Sequence, residues 1–439
     1  MKEVAALLLD RALTRGARAA EALTKIGSTR GVSLDAGGGI TSTRTAEGGV
    51  ALRVFLDGGA AGFASVCGPA LEEEAAIQLV SAALDAAHVS GPPFDLPGGK
   101  AGDGRGLGIF DPRLHAATTS DLEGLLDEAA KEALRSDPRV RRLESASITA
   151  SSSEIWMENT AGFEGGYRQT LVHLSLGVAA DDAGRSIVVK RSRTARSLAA
   201  FSPALFGDET ARLAATTLEG QPPAAGIFPA LLGPAATAEL LRLFSRTLVP
   251  PGPATRSEIG SRSLNIVDDG RLPGGIASAP FDGEGAPTRR TGVVVRGCFG
   301  EMIHDLASAA RCGAASTGNG VRASFRNMPR RMPTNLFITP GSDTPSDLMS
   351  GLREGLWIQS LRPTPAVTSD HSTLVALGSG RWVQNGRPGC AVAGALVSWP
   401  VAELLAGVIG VGNDLTFGAV GGSFGAPSIL VKEIGVRAS

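Results

Sequence analysis

The segment most informative about chemistry runs from Leu264 to Gly341. This stretch holds a glycine turn with two carboxylates, Asp282-Gly283-Glu284-Gly285. It also holds Arg289 and Arg290, and the polar run Ser316-Thr317-Gly318-Asn319. Two carboxylates at this spacing are able to act as an acid–base pair or hold a cation. In a glycine turn, however, Asp and Glu ordinarily accept hydrogen bonds from local amides.

Metal chemistry has little support in the spacing. The five histidines (His88, His115, His173, His304 and His371) are scattered, and no H-E-x-x-H is present. His304-Asp305 and Asp370-His371 are adjacent pairs, but a zinc site needs three or four converging lone-pair donors. No G-x-S-x-G elbow occurs. Serines flank His371 in Thr368-Ser369-Asp370-His371-Ser372, which reads as a capped turn rather than a catalytic set. The run Gly418–Gly425 (GAVGGSFG) has no P-loop lysine and reads as a flexible loop.

Composition narrows the partners. The 439 residues carry 42 basic and 43 acidic side chains, net charge −1, so no bulk field favours nucleic acid or an anionic membrane. The densest basic stretch, Lys190–Arg196, reads as the solvent face of a strand. Cys67, Cys298, Cys312 and Cys390 form no C-x-x-C pair and are expected as free buried thiols. No signal peptide and no apolar run long enough to span a bilayer is visible, so a cytoplasmic location is expected.

The elements that must position these residues follow from periodicity. Ala5, Leu9 and Leu13 predict a helix over 2–15, with 17–24 as its continuation. Strands are expected at 31–34, 41–45, 50–56 and 61–66, the last two joined by the turn Asp57-Gly58-Gly59. Helices are expected over 69–87, from a Ser120/Glu123 capping box to 135, over 207–217 and over 235–248. Strands are expected at 145–151, 154–159, 170–178, 186–190, 292–296, 381–384 and 429–432, and a short helix at 346–352. The order gives an α+β fold of two domains, helices packed on mixed and antiparallel sheets, the second domain strand-rich. The Gln221-Pro222-Pro223 stretch places the division between 1–220 and 221–439.

The order of motifs resembles the TldD/PmbA family, whose members were once named modulators of DNA gyrase. Its blocks include Glu47–Phe55 with Gly62–Ser65, Glu158–Gly162, Leu272–Gly275, Trp382–Gly386, Gly412–Asp414 and Ala426–Ser428. In that family a TldD-type chain carries H-E-x-x-x-H on the helix after an L-G-P segment, with a cysteine near the C-terminus. Here Leu232-Gly233-Pro234 is followed by Arg242, Leu243 and Thr247 at the motif positions, and residues 411–439 contain no cysteine. The resemblance is therefore to the TldE (PmbA) type. On the same helix Thr237, Leu240, Leu241, Phe244 and Leu248 form an apolar stripe, with Glu239, Arg242 and Arg246 expected on a charged outer face. One departure is Ser369–Thr373, where the family shows G-x-F-S.

The resemblance implies a non-catalytic subunit of a heterodimeric peptidase. This chain would hold no cofactor or metal and no catalytic residue, and zinc would reside in the TldD-type partner. The pair would cleave small or unfolded peptides, among them leader peptides of modified peptide natural products. The isolated chain could form a homodimer. Asp282, Glu284, Arg289, Arg290 and Asn319 are the residues expected near the peptide cavity, in contact or structural roles. The alternatives are a non-enzymatic regulator of the gyrase-modulator type and a metal-independent enzyme acting alone through His304, His371 or the carboxylate pair.

Overall fold

The computed structural model describes residues 1–439 except 36, 69–71, 90–91, 246–257, 364–372 and 419–421. Thr247, Leu248, Asp370 and His371 lie outside the described residues. The chain begins with α1 (Lys2–Thr14), β1 (Ala19–Leu34), β2 (Ile40–Phe55), β3 (Ala60–Cys67), α2 (Glu73–Asp85) and β4 (His88–Val89). Next come α3 (Pro112–Ala116), α4 (Thr119–Ser136), β5 (Val140–Asn159), β6 (Glu164–Asp182), β7 (Arg185–Ala195) and α5 (Pro203–Glu219). The strands form one seven-stranded antiparallel sheet in the order β4-β3-β2-β1-β5-β6-β7.

Strand pleating sorts the two faces of this sheet. Ala20, Ala22, Val50, Leu52 and Val54 pack under α1 and α2. Ile148, Ala150, Val172, Leu174 and Leu176 pack under α4 and α5. The opposite face carries Leu23, Ile155 and Met157, which pack on Phe281 and Phe325 from the second half of the chain.

That half contains β8 (Gly226–Leu232), α6 (Pro234–Phe244), β9 (Ile266–Asp269), β10 (Arg290–Val295), β11 (Cys298–Phe299), α7 (Leu306–Cys312), β12 (Gly320–Val321), β13 (Arg330–Arg331) and β14 (Leu336–Ile338). It ends with α8 (Pro345–Ser350), β15 (Glu354–Pro363), β16 (Thr373–Gln384), β17 (Arg387–Pro400), α9 (Val401–Ala406), β18 (Val408–Val411), β19 (Thr416–Phe417), β20 (Phe424–Ala426) and β21 (Ile429–Ala438). One mixed sheet has the order β11-β10-β9-β14-β20-β19. A second runs β17-β16-β15-β8-β21-β18, with an additional β17–β21 pairing that closes five of its strands into a ring, and β12 and β13 form a two-stranded sheet of their own. Leu240, Leu241 and Phe244 of α6 share a core with Ile266, Ile338, Leu356 and Trp399 from both six-stranded sheets. The fold is α+β, as expected.

Several local expectations are corrected. Residues 19–24 are strand, not helix: Ala19–Thr24 pairs with Val50–Phe55, and Glu21–Leu34 also pairs with β5, which overrides the helical propensity of an Ala/Glu/Leu run. The two strands expected at 145–151 and 154–159 are one, β5, because the serines at 151–153 sit within its ladder and not in a turn. The capping box of α4 is Thr118 with Asp121, two residues before the expected pair. The cysteines are free, but none is fully buried as expected: Cys67 and Cys390 are exposed, near strand ends, and Cys298 and Cys312 are half-buried. The loop expected over 418–425 ends in β20, which pairs in parallel with β14. Among the described residues no helix is long and apolar enough to cross a membrane.

Helix α5 meets α4 through Gly207, where an added Cβ would fall 2.2 Å from the Ala129 carbonyl oxygen. Intrinsic propensity favours Ala over Gly by about 1 kcal/mol in a helix. Here steric overlap reverses the sign: Gly207→Ala is expected to destabilise by about 1–3 kcal/mol, read by urea unfolding. A stabilised variant would show that the two helices do not approach this closely.

Candidate functional site

The uncovered face of the first sheet opens into a cleft of about 490 Å³. Its sheet wall is set by register. Gly27 of β1 stands opposite Ser153 of β5, which stands opposite Gln169 of β6. One step along, Lys25, Ile155 and Tyr167 form the neighbouring row. The facing wall comes from segments 276–283 and 321–325 together with Thr288, Gly318 and Thr334.

Polar side chains hold these loops in place. Buried Asp268 of β9 accepts from Asn319 Nδ2 at 2.6 Å, from the Thr334 amide at 2.7 Å and from Thr334 Oγ1 at 3.0 Å. Asn319 also donates to the Met332 carbonyl and accepts from Thr317. Asn335 accepts from the Ala277 amide and donates to Asp269 O and Ser278 Oγ. Asp282 accepts the amides of Glu284, Ala286 and Gly320 at 2.7–3.0 Å. Much of this is the amide-binding role that a glycine turn suggests, extended to a second loop.

Glu284 does something else. Its Oε1 accepts from Arg53 Nη1 at 2.9 Å, and its Oε2 accepts the amide of Leu306 at the start of α7. Arg53 donates through Nη2 to Glu21 Oε2 at 2.8 Å, and Glu21 Oε1 accepts from Arg322 Nη2 at 2.5 Å. All four side chains are at most 6% exposed. The network joins β1 and β2 to loops more than 200 positions away in the chain. Arg53 lies against the rings of Phe55 and Phe94, and its Nε has no hydrogen-bond partner. Burial alone would lower the Arg53 pKa, but the charges of Glu21 and Glu284 more than reverse this and hold the guanidinium protonated. Gly283 and Gly320 are required by close approach: a Cβ would sit 2.6 Å from Arg322 Cγ at the first, and 2.6 Å from Glu284 Oε2 at the second.

The structure therefore brings three of the five sequence candidates together, Asp282, Glu284 and Asn319, and leaves two apart. Arg289 pairs with Glu301 at the surface, and Arg290 is an exposed side chain 4.0 Å from Asp269. Of the five, Asp282 alone lines the cleft. His304 is 5% exposed, with Nδ1 3.2 Å from Ser308 Oγ, and Asp305 caps α7. Burial, and then the charge of Arg331, lower the His304 pKa and favour the neutral imidazole.

Sequence reasoning missed Glu21, Arg53, Arg322 and Arg196. Residue 196 closes the basic stretch read as a solvent face. Lys190 and Ser192 are exposed, but Arg196 is 6% exposed and lines the cleft. Its donors go to the carbonyls of Gly275, Thr170 and Ile276 and to Gln169 Oε1.

Arg242 and Leu243, the two described positions that the resemblance sets against the zinc motif, are unsuited to a metal. Arg242 donates from Nε and Nη2 to Glu239 at 2.6–3.1 Å, and Leu243 packs on the apolar core. A guanidinium has no lone pair to give a metal, and neither has a leucine. Glu239 is also not on an outer face as expected: it is 4% exposed. Among the described residues no group of three His, Cys, Asp or Glu side chains is placed to hold a metal ion.

Two measurements test this geometry. Glu284→Gln leaves buried Arg53 with one carboxylate and is expected to destabilise by about 3 kcal/mol. The exposed counterpart Glu301→Gln should cost about 0.5 kcal/mol. Equal effects in chemical unfolding would refute a buried network. Asp268 is raised from 3.8 to about 6 by burial, against the donors that lower it. Its stabilising contribution is full below its unfolded pKa near 4 and is lost as pH rises through 6. Relative to Asp268→Asn, the wild type should lose about 2 kcal/mol between about pH 4.5 and 7. A difference that stays flat with pH would contradict the assignment.

Two family descriptions match the chain: "PmbA/TldA metallopeptidase central domain" over residues 112–218 and "PmbA/TldA metallopeptidase C-terminal domain" over residues 224–438. A metalloprotease TldD homologue of Buchnera aphidicola subsp. Schizaphis graminum is 24% identical over 279 residues, covering 57% of this chain and 56% of the relative. The chain thus spans little more than half the length of that relative. Metalloprotease PmbA of Escherichia coli O157:H7 is 26% identical over 385 residues, covering 79% of this chain and 77% of the relative. The crystal structure of TldE from Thermococcus kodakarensis superposes with a TM-score of 0.86 at 18% identity, covering 99% of this chain and 100% of the other, which establishes a shared fold. On the family matches, the relatives and the fold together, this chain belongs to the TldD/PmbA metallopeptidase family.

Proposed function

We propose that this chain is the non-catalytic, TldE-type subunit of a heterodimeric zinc metallopeptidase, and that a TldD-type partner supplies the zinc. The observation that carries this reading is the state of α6. At the motif positions Arg242 is bound to Glu239 and Leu243 is packed on the core. Neither is able to ligate zinc nor to serve as the carboxylate base for a metal-bound water. The assembled enzyme would act on small or unfolded peptides, including leader peptides of modified peptide natural products, in the cytoplasm. Asp282, Glu284 and Asn319 would serve it by shaping the loops over the sheet, Arg289 and Arg290 by surface contacts, and a domain division near residue 220 would separate the sheet from those loops.

The gyrase-modulator reading draws no support from charge, since the chain is balanced at −1. An independent enzyme acting through His304 draws none from its geometry, because that ring is buried and held at Ser308.

The test is zinc content and peptidase activity of the purified chain, alone and co-expressed with a TldD-type chain. The lone chain is expected to be inert and metal-free, and the pair to hold zinc and cleave unfolded peptides. A lone chain that cleaves peptides or holds stoichiometric zinc would overturn the proposal. So would a failure of the two chains to co-purify, whether or not the lone chain forms a homodimer.

A further inference from the structure

The subunit reading assigns no role to Arg196, which lines the cleft. A guanidinium removed from water is normally compensated by a carboxylate, because burying an uncompensated charge is costly. The other cations on the cleft follow this rule: Lys25 stands 3.5 Å from Glu47, and Arg322 stands 2.5 Å from Glu21. Arg196 does not. Its four hydrogen bonds go to three backbone carbonyls and one side-chain amide, all neutral, and they use four of its five N–H donors. Among the described residues no carboxylate lies within ion-pair distance of it. Of the two carboxylates lining the same cleft, Glu47 pairs with Lys25, and Asp282 is committed through both oxygens to three backbone amides.

The surroundings define the rest of a ligand. Tyr167 and Phe163 stack edge-on against Phe281 at 5.2 Å, and Phe281 and Phe325 share an apolar cluster with Leu23 and Ile155. Tyr167, Phe281, Phe325, Leu23 and Ile155 all border the cleft. The Tyr167 phenol, pushed up to about 12 by burial, keeps its proton at any working pH and adds a neutral donor. The cavity, about 490 Å³, is the size of a small-molecule or short-peptide site.

We propose that this cleft binds a carboxylate-bearing ligand, its anionic end held by Arg196 and its apolar body laid against Tyr167, Phe281 and Phe325. The carboxylate could belong to a free organic acid or to the C-terminus of a peptide, and both present the same chemistry to the guanidinium. The proposal stands whether or not a partner supplies zinc, since every residue in it lies in this chain.

Calorimetric titration of the full-length chain distinguishes the cases. The probes are N-acetyl-L-phenylalanine, its C-terminal amide, a pentapeptide ending in a free phenylalanine, and the same pentapeptide amidated. At least one free carboxylate should bind about tenfold or more tightly than its amide, a difference of about 1.4 kcal/mol, and binding should weaken with added salt. Binding by the small acid and not the peptide assigns a free acid; tighter binding by the peptide assigns a chain terminus. Arg196→Gln should remove the preference for acid over amide, and Arg196→Lys should keep part of it. Because Arg196→Gln loses four hydrogen bonds and could unfold, Ser151→Trp is the second variant. It fills the cleft from the sheet wall, leaves Arg196 in place and should abolish binding with an unchanged melting temperature. Equal binding of acid and amide, no binding by any probe, or full binding in a folded Ser151→Trp protein would overturn the proposal.

Discussion

The relation between the first sheet and the loops that face it depends on one buried ion network, Arg322–Glu21–Arg53–Glu284. Two guanidinium groups and two carboxylates cancel in charge, so no net charge is buried. Each carboxylate oxygen in it accepts from a cation or from a helix-start amide. Such a network adds little to stability compared with a well-packed apolar core of equal volume, but losing one member strands the others. Its effect is on placement. Glu284 is fixed on one side by Arg53 of β2 and on the other by the first turn of α7, which locks the 282–286 turn to the sheet and to the helix together. Arg322 binds Glu21 and also donates to the Gly283 and Asn327 carbonyls, so the second loop is fixed to the first.

The cleft exists because this arrangement stops short of closing the interface. On the Glu21–Arg53 side the sheet and loops meet through charge, and through Leu23, Met157, Phe281 and Phe325 they meet through apolar contact. Farther along the same strands the side chains shrink to Gly27, Ser151 and Ser153, and the loops do not reach them. Asp268, Asn319 and Asn335 hold the far wall at its distance by satisfying backbone groups that would otherwise collapse inward or need water. Asp282 belongs to both systems. Burial and the neighbouring charge of Glu284 both raise its pKa, which lowers the negative charge beside the network.

How much of this could be read from the sequence depends on how local the signal was. The class of fold, α1, the β2–β3 hairpin at Asp57-Gly58-Gly59 and the apolar stripe of α6 follow from periodicity and turn chemistry within a dozen residues. The glycine turn at 282–285 was recognisable, and so was its tendency to bind amides. Glu21 and Arg53 were not, because their meaning lies in partners hundreds of positions away and one of them sits in a run with helical propensity. The serines of β5 misled for a related reason. A strand facing an open cleft need not alternate apolar and polar residues, and without alternation a long strand reads as short pieces. Arg196 shared its composition with exposed neighbours on β7, and only the fold separates it from them.

Two arginines show opposite uses of the same side chain. Arg242 stands at the position that the family resemblance sets against a zinc ligand, and its charge is cancelled within one turn of helix by Glu239, itself buried at 4% exposure. That pair is closed: it offers a newcomer neither a lone pair nor a free charge. Arg196 is equally constrained in position, yet its constraints come from carbonyls that orient the guanidinium without neutralising it. A side chain fixed by neutral acceptors keeps its field directed at whatever faces it, and what faces it is a cavity with an aromatic wall. Polar groups satisfied among themselves build structure, whereas a charge held in place and left uncompensated marks where binding energy is available. By that criterion the Arg242–Glu239 pair on α6 is closed, whereas the junction of sheet and loops presents the charge on which the proposed carboxylate site rests.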